Sequence, residues 1–275
     1  MTIEQLQQPV QKQFLQYKEE YHHYTQNQIP LPHEVEQHLA QQPGKQIRPL
    51  LLLLTAKACG HLSYNHILLA ATVELLHNAT LMHDDVVDES NTRSGQESVR
   101  HRWGNQTAVL CGDYYLSLVM TILHRIGNPL ISKLVAQTVS TMCKGELLQL
   151  THHTDKNTTI ETYIEIIGSK TASLMALCCH LGAISTQPPN ENQRKALQQF
   201  GYHYGLVFQI RDDTLDEQNP HDIGLPQGFQ PQAEIDKHTH VAQQALLTLP
   251  PSPARLALGN LLIFSAPSPY KQTTT

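Results

Sequence analysis

Two short segments hold the residue types best suited to chemistry: His83-Asp84-Asp85-Val86-Val87-Asp88 and Arg211-Asp212-Asp213-Thr214-Leu215-Asp216. Each reads DDxxD, and each closes a long apolar stretch. On a helix, residues four apart share a face about 6 Å from one another. Asp84 with Asp88, and Asp212 with Asp216, would therefore present paired carboxylates. Like charges at that spacing repel, and the orphan carbonyls of a helix C-terminus add to the repulsion. A cation removes the conflict. Oxygen-only ligands suit Mg²⁺, which takes one or two carboxylates and completes its shell with water and substrate phosphates. All six acids, Asp85 and Asp213 included, are candidate metal ligands. One such cluster alone is more often a solvated helix terminus. Two, each ending an apolar helix, are harder to explain that way, and antiparallel packing could set both acid faces across one cavity with a metal-bound diphosphate between them.

The elements that must position these acids are helical. Strand signals are nearly absent. Leu68, Leu69, Val73, Leu76, Thr80, Leu81 and Val87 recur at spacings of three and four, the period of one helix face. Similar patterns run over 107–126, 130–150, 160–184 and 191–216. Breaks fall at Gly60, at Gly127-Asn128-Pro129, over 187–190 and over 220–231, where Gly and Pro punctuate the chain. Several of these helices are long and largely apolar, so other helices must surround them. Residues 1–43 are rich in Gln and Glu and predict a polar outer helical segment. With no repeat and no linker, residues 1–275 are expected to form a single all-α domain, a large antiparallel helical bundle, in which 219–275 is the C-terminal region.

Composition narrows the function. The 275 residues are 40% hydrophobic, enough for one large core. A net charge of -5 offers no basic stripe, so nucleic acid is not an expected partner. Five cysteines without CxxC spacing and no N-terminal signal pattern point to a reduced, cytoplasmic protein. Unbroken apolar runs such as Leu50 to Leu54 are far short of the ~20 residues of a membrane span. No transmembrane segment is expected, although an apolar product could bring the protein to a membrane surface. The adjacent pairs His22-His23 and His152-His153 do not share a helix face, and no HxxxH or Cys-His grouping accompanies them, which argues against zinc.

Beyond the acids, a series of motifs resembles the trans-isoprenyl diphosphate synthase (polyprenyl synthetase) family. The series runs Gly44-Lys45-Gln46-Ile47-Arg48-Pro49, Glu74 to Asp85, Arg93-Ser94-Gly95, Gly112-Asp113, Gly145-Glu146, Lys170-Thr171 and Phe208 to Asp213. Order and spacing hold from about residue 44 to 217, and several motifs in one order are far more specific than either acidic cluster. The resemblance implies the isoprenoid synthase fold around a central apolar cavity, a homodimer, and two diphosphate substrates. The allylic prenyl diphosphate would be held through two or three Mg²⁺ ions by Asp84, Asp88 and Asp212, assisted by Arg93, Lys170, Thr171 and Gln209. Isopentenyl diphosphate would be held without metal by Lys45, Arg48 and His77. The implied reaction is ionisation, condensation and elimination, giving a longer all-trans polyprenyl diphosphate. Ala79 and Thr80, one turn before Asp84, would leave the product channel open, with Met120, Leu123 and Met142 as candidates for its floor.

The chain departs from the family pattern in three places. Ser94 stands where a second arginine is usual. Leu225 stands in the segment Asp222 to Phe229, where a glycine-lysine pair normally covers the phosphates. Few residues follow Asp212, so roughly two C-terminal helices are expected to be lacking. These departures keep a second hypothesis in view, a weakly active or silent subunit of a heteromeric synthase. A terpene cyclase would need no Lys45, Arg48 or His77, so those residues weigh against it.

Overall fold

Apolar segments become helices almost wherever their periodicity places them. The computed structural model describes residues 2–26, 29–41, 44–60, 62–93, 95–152, 158–184, 190–215 and 224–264. In chain order the helices are α1 (Ile3–Gln7), α2 (Gln11–Thr25), α3 (Pro30–Gln41), α4 (Ile47–Ala58) and α5 (Tyr64–Val87). There follow α6 (Val99–Trp103), α7 (Asn105–Ile126), α8 (Pro129–His152), α9 (Ile160–Ile167) and α10 (Ser173–Ala183). The last three are α11 (Glu191–Leu215), α12 (Pro231–Leu246) and α13 (Pro253–Leu261). The all-helical expectation holds. Among the described residues the exceptions are a 3₁₀ turn at Gln8–Val10, a π turn at Gly168–Ala172, and a two-stranded antiparallel ribbon of β1 (Thr92–Arg93) and β2 (Gln96–Glu97).

Local chemistry sets the boundaries. Ser63 and His66 bond each other's backbone N–H at the start of α5. Thr159 caps α9, and Ser252, followed by Pro253 at the first helical position, caps α13. Gly127 closes α7 in the left-handed conformation at φ 65°, which only glycine adopts freely.

The chain divides into two compact units, one from the described residues within Met1–Val10, Leu51–Leu62 and Pro129–Ala266, the other within Gln11–Leu50 and Ser63–Asn128. In the second, α5 lies against α2, α6 and α7. Leu68, Leu69, Ala70, Ala71, Val73, Leu75 and Leu76 are sealed from solvent almost round the whole helix, as a central helix requires. In the first, α11 packs between α10 and α12, and the π turn lies against α8 and α11. The N-terminal helices are less polar than their composition implies. Leu6, Val10, Phe14, Tyr17 and Val35 are all buried, so each helix has one inserted apolar edge under a polar face.

Helix packing in the first unit depends on two glycines of α11. A Cβ at Gly201 would lie 2.5 Å from the Met175 carbonyl oxygen, and one at Gly205 2.5 Å from Ala172 Cα. Backbone rather than a flexible side chain stands in the way. Gly205→Ala is expected to cost about 1–3 kcal/mol through overpacking, read as a lowered melting temperature; an unchanged melt would show that the contact relaxes freely.

The five-residue apolar run understated how apolar whole helices are. By length and composition two stretches, Asn105–Ile126 and Ile160–Ala183, each at mean hydropathy 1.2, could cross a bilayer. The second is largely buried, as a core helix is.

Candidate active site

In the second unit the first acidic motif closes α5. Asp88 is the C-cap, its N–H donating to the carbonyl of Asp84, and Glu89 follows at φ 48°. A non-glycine residue there is strained, and such strain gathers at functional sites. The three acids are not equivalent. Asp85 is buried and accepts two bonds from Arg93, from Nε at 2.9 Å and Nη2 at 2.6 Å. Burial pushes its carboxyl up, and the Arg93 guanidinium opposes that. Asp84 and Asp88 keep partly exposed side chains. The motif thus spends its middle acid on holding the β1–β2 ribbon, while the outer pair faces outward. Arg100 ties the following loop by donating to the Glu89 carbonyl at 2.7 Å and to Asn91 Oδ1 at 2.9 Å. Arg102 lies over the Trp103 ring. Ser94 lies outside the described residues.

Gly112 explains how α7 approaches this motif, because a Cβ there would sit 2.3 Å from His83 Nε2. His83 in turn lies 3.5 Å from Asp113 Oδ1. The Gly44–Pro49 segment enters α4 through two left-handed residues, Gly44 at φ 63° and Gln46 at φ 49°. Lys45 lies within that turn and Arg48 in the first turn of α4, both with partly exposed side chains. His77, on α5, is held well below its usual range by burial and by the Arg48 and Arg93 charges. It is therefore neutral at pH 7 and offers a hydrogen bond rather than a charge. Arg48, His77, Arg93 and the first acidic motif all belong to this unit.

In the first unit the second acidic motif ends α11. Asp213 accepts from Tyr163 at 2.5 Å and from Gln209 Nε2 at 2.7 Å, and Gln209 Oε1 accepts from Thr171 at 2.8 Å. Tyr163, Asp213, Gln209 and Thr171 thus form one hydrogen-bonded chain linking α9, α11 and the π turn. Asp212, by contrast, is exposed. Asp216 lies outside the described residues, as do Asp222 and Ile223. The π turn lies against α8, and Gly145 makes room for it: a Cβ at Gly145 would lie 2.8 Å from Ser169 Cβ and 3.0 Å from Lys170 N. Lys170 pairs with Glu146 at 2.9 Å. Both motifs therefore anchor the second acid of the DD pair and leave the first more accessible.

Leu225 is part of the apolar cluster with Tyr163, Ile167, Leu206 and Phe229. Its side chain serves packing. Of the candidate channel-floor residues, Met142 is buried, Leu123 partly so, and Met120 is 69% exposed, which removes Met120 as a floor.

The donor set fits Mg²⁺. No three His, Cys, Asp or Glu side chains converge on one point among the described residues, so a fully protein-caged ion is not what the acids offer. Pairs of outward carboxylate oxygens suit a hydrated ion that substrate phosphates would finish ligating. Tyr163 and Glu146 were not foreseen as partners of Asp213 and Lys170. Glu146 had a signal in the Gly145-Glu146 motif; Tyr163 had none.

Comparison with known proteins adds an independent line. The family model described as Polyprenyl synthetase matches residues 30–228. The heptaprenyl diphosphate synthase component 2 of Bacillus subtilis (strain 168) is 37% identical over 201 residues, covering 72% of this chain and 57% of the relative. An all-trans-nonaprenyl-diphosphate synthase (geranyl-diphosphate specific) of Rhodobacter capsulatus is 39% identical over 191 residues, covering 69% and 58%. The chain therefore spans less than three-fifths of the length of these curated relatives. A solved polyprenyl synthase from Caulobacter crescentus CB15, complexed with calcium and isoprenyl diphosphate, superposes with TM-score 0.87 at 25% identity, over 95% of this chain and 96% of that one.

Proposed function

Because this chain belongs to the polyprenyl synthetase family, we propose that it is a trans-prenyltransferase, joining an allylic prenyl diphosphate to isopentenyl diphosphate and releasing diphosphate. The observation that carries the proposal is the shared build of the two acidic motifs. Each ends a long helix with a buried face, each anchors the second acid of its DD pair within its own unit, and each leaves at least one more accessible carboxylate suited to a hydrated divalent ion. The Caulobacter relative was solved with calcium and isoprenyl diphosphate, which supports that chemistry.

Asp84, Asp88 and Asp212 are the residues that would hold Mg²⁺. When bound it offsets the charge that builds on a departing diphosphate. Lys170, fixed by Glu146, would contact the allylic diphosphate as a point charge. Gln209, locked between Thr171 and Asp213, would offer a preoriented amide. Lys45 and Arg48 would anchor the isopentenyl diphosphate, with neutral His77 supplying a hydrogen bond. Anchoring a nucleophile needs less charge than stabilising a leaving group, so the metal-binding acids would serve only the allylic substrate. After the new carbon–carbon bond forms, the proton lost from the isopentenyl unit would pass to the released diphosphate. That role requires no side-chain base. We also take the chain to work as a homodimer.

The Bacillus relative's printed name makes it one component of a synthase, and this favours the second hypothesis, a subunit that needs a partner chain. Incubating the purified protein with labelled isopentenyl diphosphate and an allylic primer, with and without Mg²⁺, separates the cases. Incorporation by the chain alone, dependent on Mg²⁺, is expected. Incorporation only after a second chain is added would favour the component role. Diphosphate release from the allylic substrate without incorporation would overturn both and favour a cyclase.

A further inference from the structure

Tyr163 has no part in the chemistry above, yet it stands at one end of a hydrogen-bonded chain that includes a candidate substrate ligand. The residue is 2% exposed. It belongs to an apolar cluster with Ile167, Leu206 and Ile210, and the Phe229 ring meets its own edge-on with centroids 5.0 Å apart. Phenylalanine would serve such packing as well. What tyrosine adds is a hydroxyl, which is costly to bury unless it is bonded. Here the hydroxyl donates to Asp213 Oδ2 at 2.5 Å.

The rest of the chain has a forced direction. A carboxylate accepts hydrogen bonds and does not donate, so the end of Gln209 that faces Asp213 Oδ1 at 2.7 Å is the amide nitrogen. The amide oxygen then faces Thr171, whose hydroxyl donates to it at 2.8 Å. Asp213 takes one of the two amide hydrogens, and Gln209 is partly exposed, so the second hydrogen is available to a ligand. Tyr163 and Gln209 hold opposite oxygens of one carboxylate. The tyrosine therefore resists the carboxylate rotation that would release Gln209. We propose that Tyr163 is a positioning residue for the allylic diphosphate: by holding Asp213 it fixes the sense of the Gln209 amide, which then presents an N–H rather than an oxygen to the phosphate oxygens. This rests on the function proposed above. The sense matters because phosphate oxygens accept hydrogen bonds, and an amide oxygen turned toward them would repel them.

Tyr163→Phe keeps the ring and its apolar contacts while deleting the donor. Two measurements decide the matter. One is titration calorimetry of geranyl thiodiphosphate, an unreactive allylic analogue, in the presence of Mg²⁺. The other is steady-state kinetics with each substrate varied in turn. In Tyr163→Phe the analogue Kd and the allylic KM should both rise about tenfold, at the lower end of what outer-shell partners of a binding group contribute. The isopentenyl diphosphate KM should stay at the wild-type value, a split that a merely structural role would not produce. In a Gln209→Ala background the same substitution should weaken analogue binding little further, because the tyrosine acts through the glutamine. An unchanged Kd, equal rises in both KM values, or additive losses in the double variant would overturn the assignment and leave Tyr163 a packing residue. A wild type that binds no analogue would overturn it as well. A wild type that binds the analogue, and loses that binding in Tyr163→Phe, but incorporates no isopentenyl unit would uphold the positioning role and remove only the proposed condensation.

Discussion

Asp84→Ala and Asp212→Ala should each lower turnover by about a thousandfold or more, since lost metal-ion stabilisation of the leaving group is worth several kcal/mol and each ~1.4 kcal/mol is tenfold in rate. The fold should survive. Asp84 is only partly buried and Asp212 is exposed, and substitutions at such positions usually change stability by no more than about 0.5 kcal/mol. Removing one charge from the cluster relieves like-charge repulsion, so the ligand-free variants should melt at or slightly above the wild-type temperature. Asp85→Ala provides the contrast. It takes the carboxylate from a buried pair and abandons Arg93, so it should lower the melting temperature as well as the rate. Melts with Mg²⁺ and inorganic diphosphate complete the test. Wild type should be stabilised only when both are present, and the Asp84 and Asp212 variants should lose that gain. A wild type indifferent to the combination would refute the metal site.

Product length gives the second large effect. If the growing chain runs along α5 away from Asp84, positions one turn deeper, about 6 Å along the axis, decide how far it grows. The two residues there now differ. Ala79 is fully buried, so Ala79→Phe would overpack its unit at about 1–3 kcal/mol and confuse chain length with stability. Thr80 is partly exposed, and its hydroxyl is already satisfied by the His77 carbonyl at 2.8 Å. Thr80→Phe is therefore the cleaner variant. Wild type should yield products longer than fifteen carbons, and Thr80→Phe should shorten them sharply while turning over. Chromatography of the dephosphorylated products measures this directly. Wild-type products that stop at fifteen carbons would show that small residues here serve helix packing rather than an open path.

Much of the helical framework was legible because helix periods are local. The repeat of Leu68, Val73, Leu76 and Leu81 places α5 without any knowledge of its neighbours, and Gly127-Asn128-Pro129 places the boundary between α7 and α8. The acids were legible for the same reason, since DDxxD puts its first and last residues on one helix face. Unequal use of those acids was not legible. Which aspartate turns inward depends on Arg93, delivered by a ribbon of two-residue strands too short to carry an alternation, and on Tyr163, fifty residues before Asp213. Neither partner has a period or spacing that announces it. The packing of Leu225 was not legible either. Its position in a phosphate-covering segment is a fact of alignment, whereas its contacts with Tyr163 and Phe229 are facts of packing.

The π turn at Gly168–Ala172 has a consequence for insertions and deletions. The Ser173 N–H reaches back five residues to the Gly168 carbonyl, one residue more than an α-helical bond spans. Each residue advances an α-helix by about 100°, so α9 and α10 are out of phase by roughly that angle. An apolar stretch that reads as one helix from Ile160 to Ala183 is in truth two helices with different facings, coupled at the residues that hold Lys170 and Thr171. Deleting one residue between Gly168 and Ala172 would restore a straight helix and swing everything upstream or downstream by a quarter turn. Cys178, Cys179 and Leu181 could not then stay inside while Tyr163 still reached Asp213. At this place chain length, more than residue identity, keeps the two faces of the helix in register.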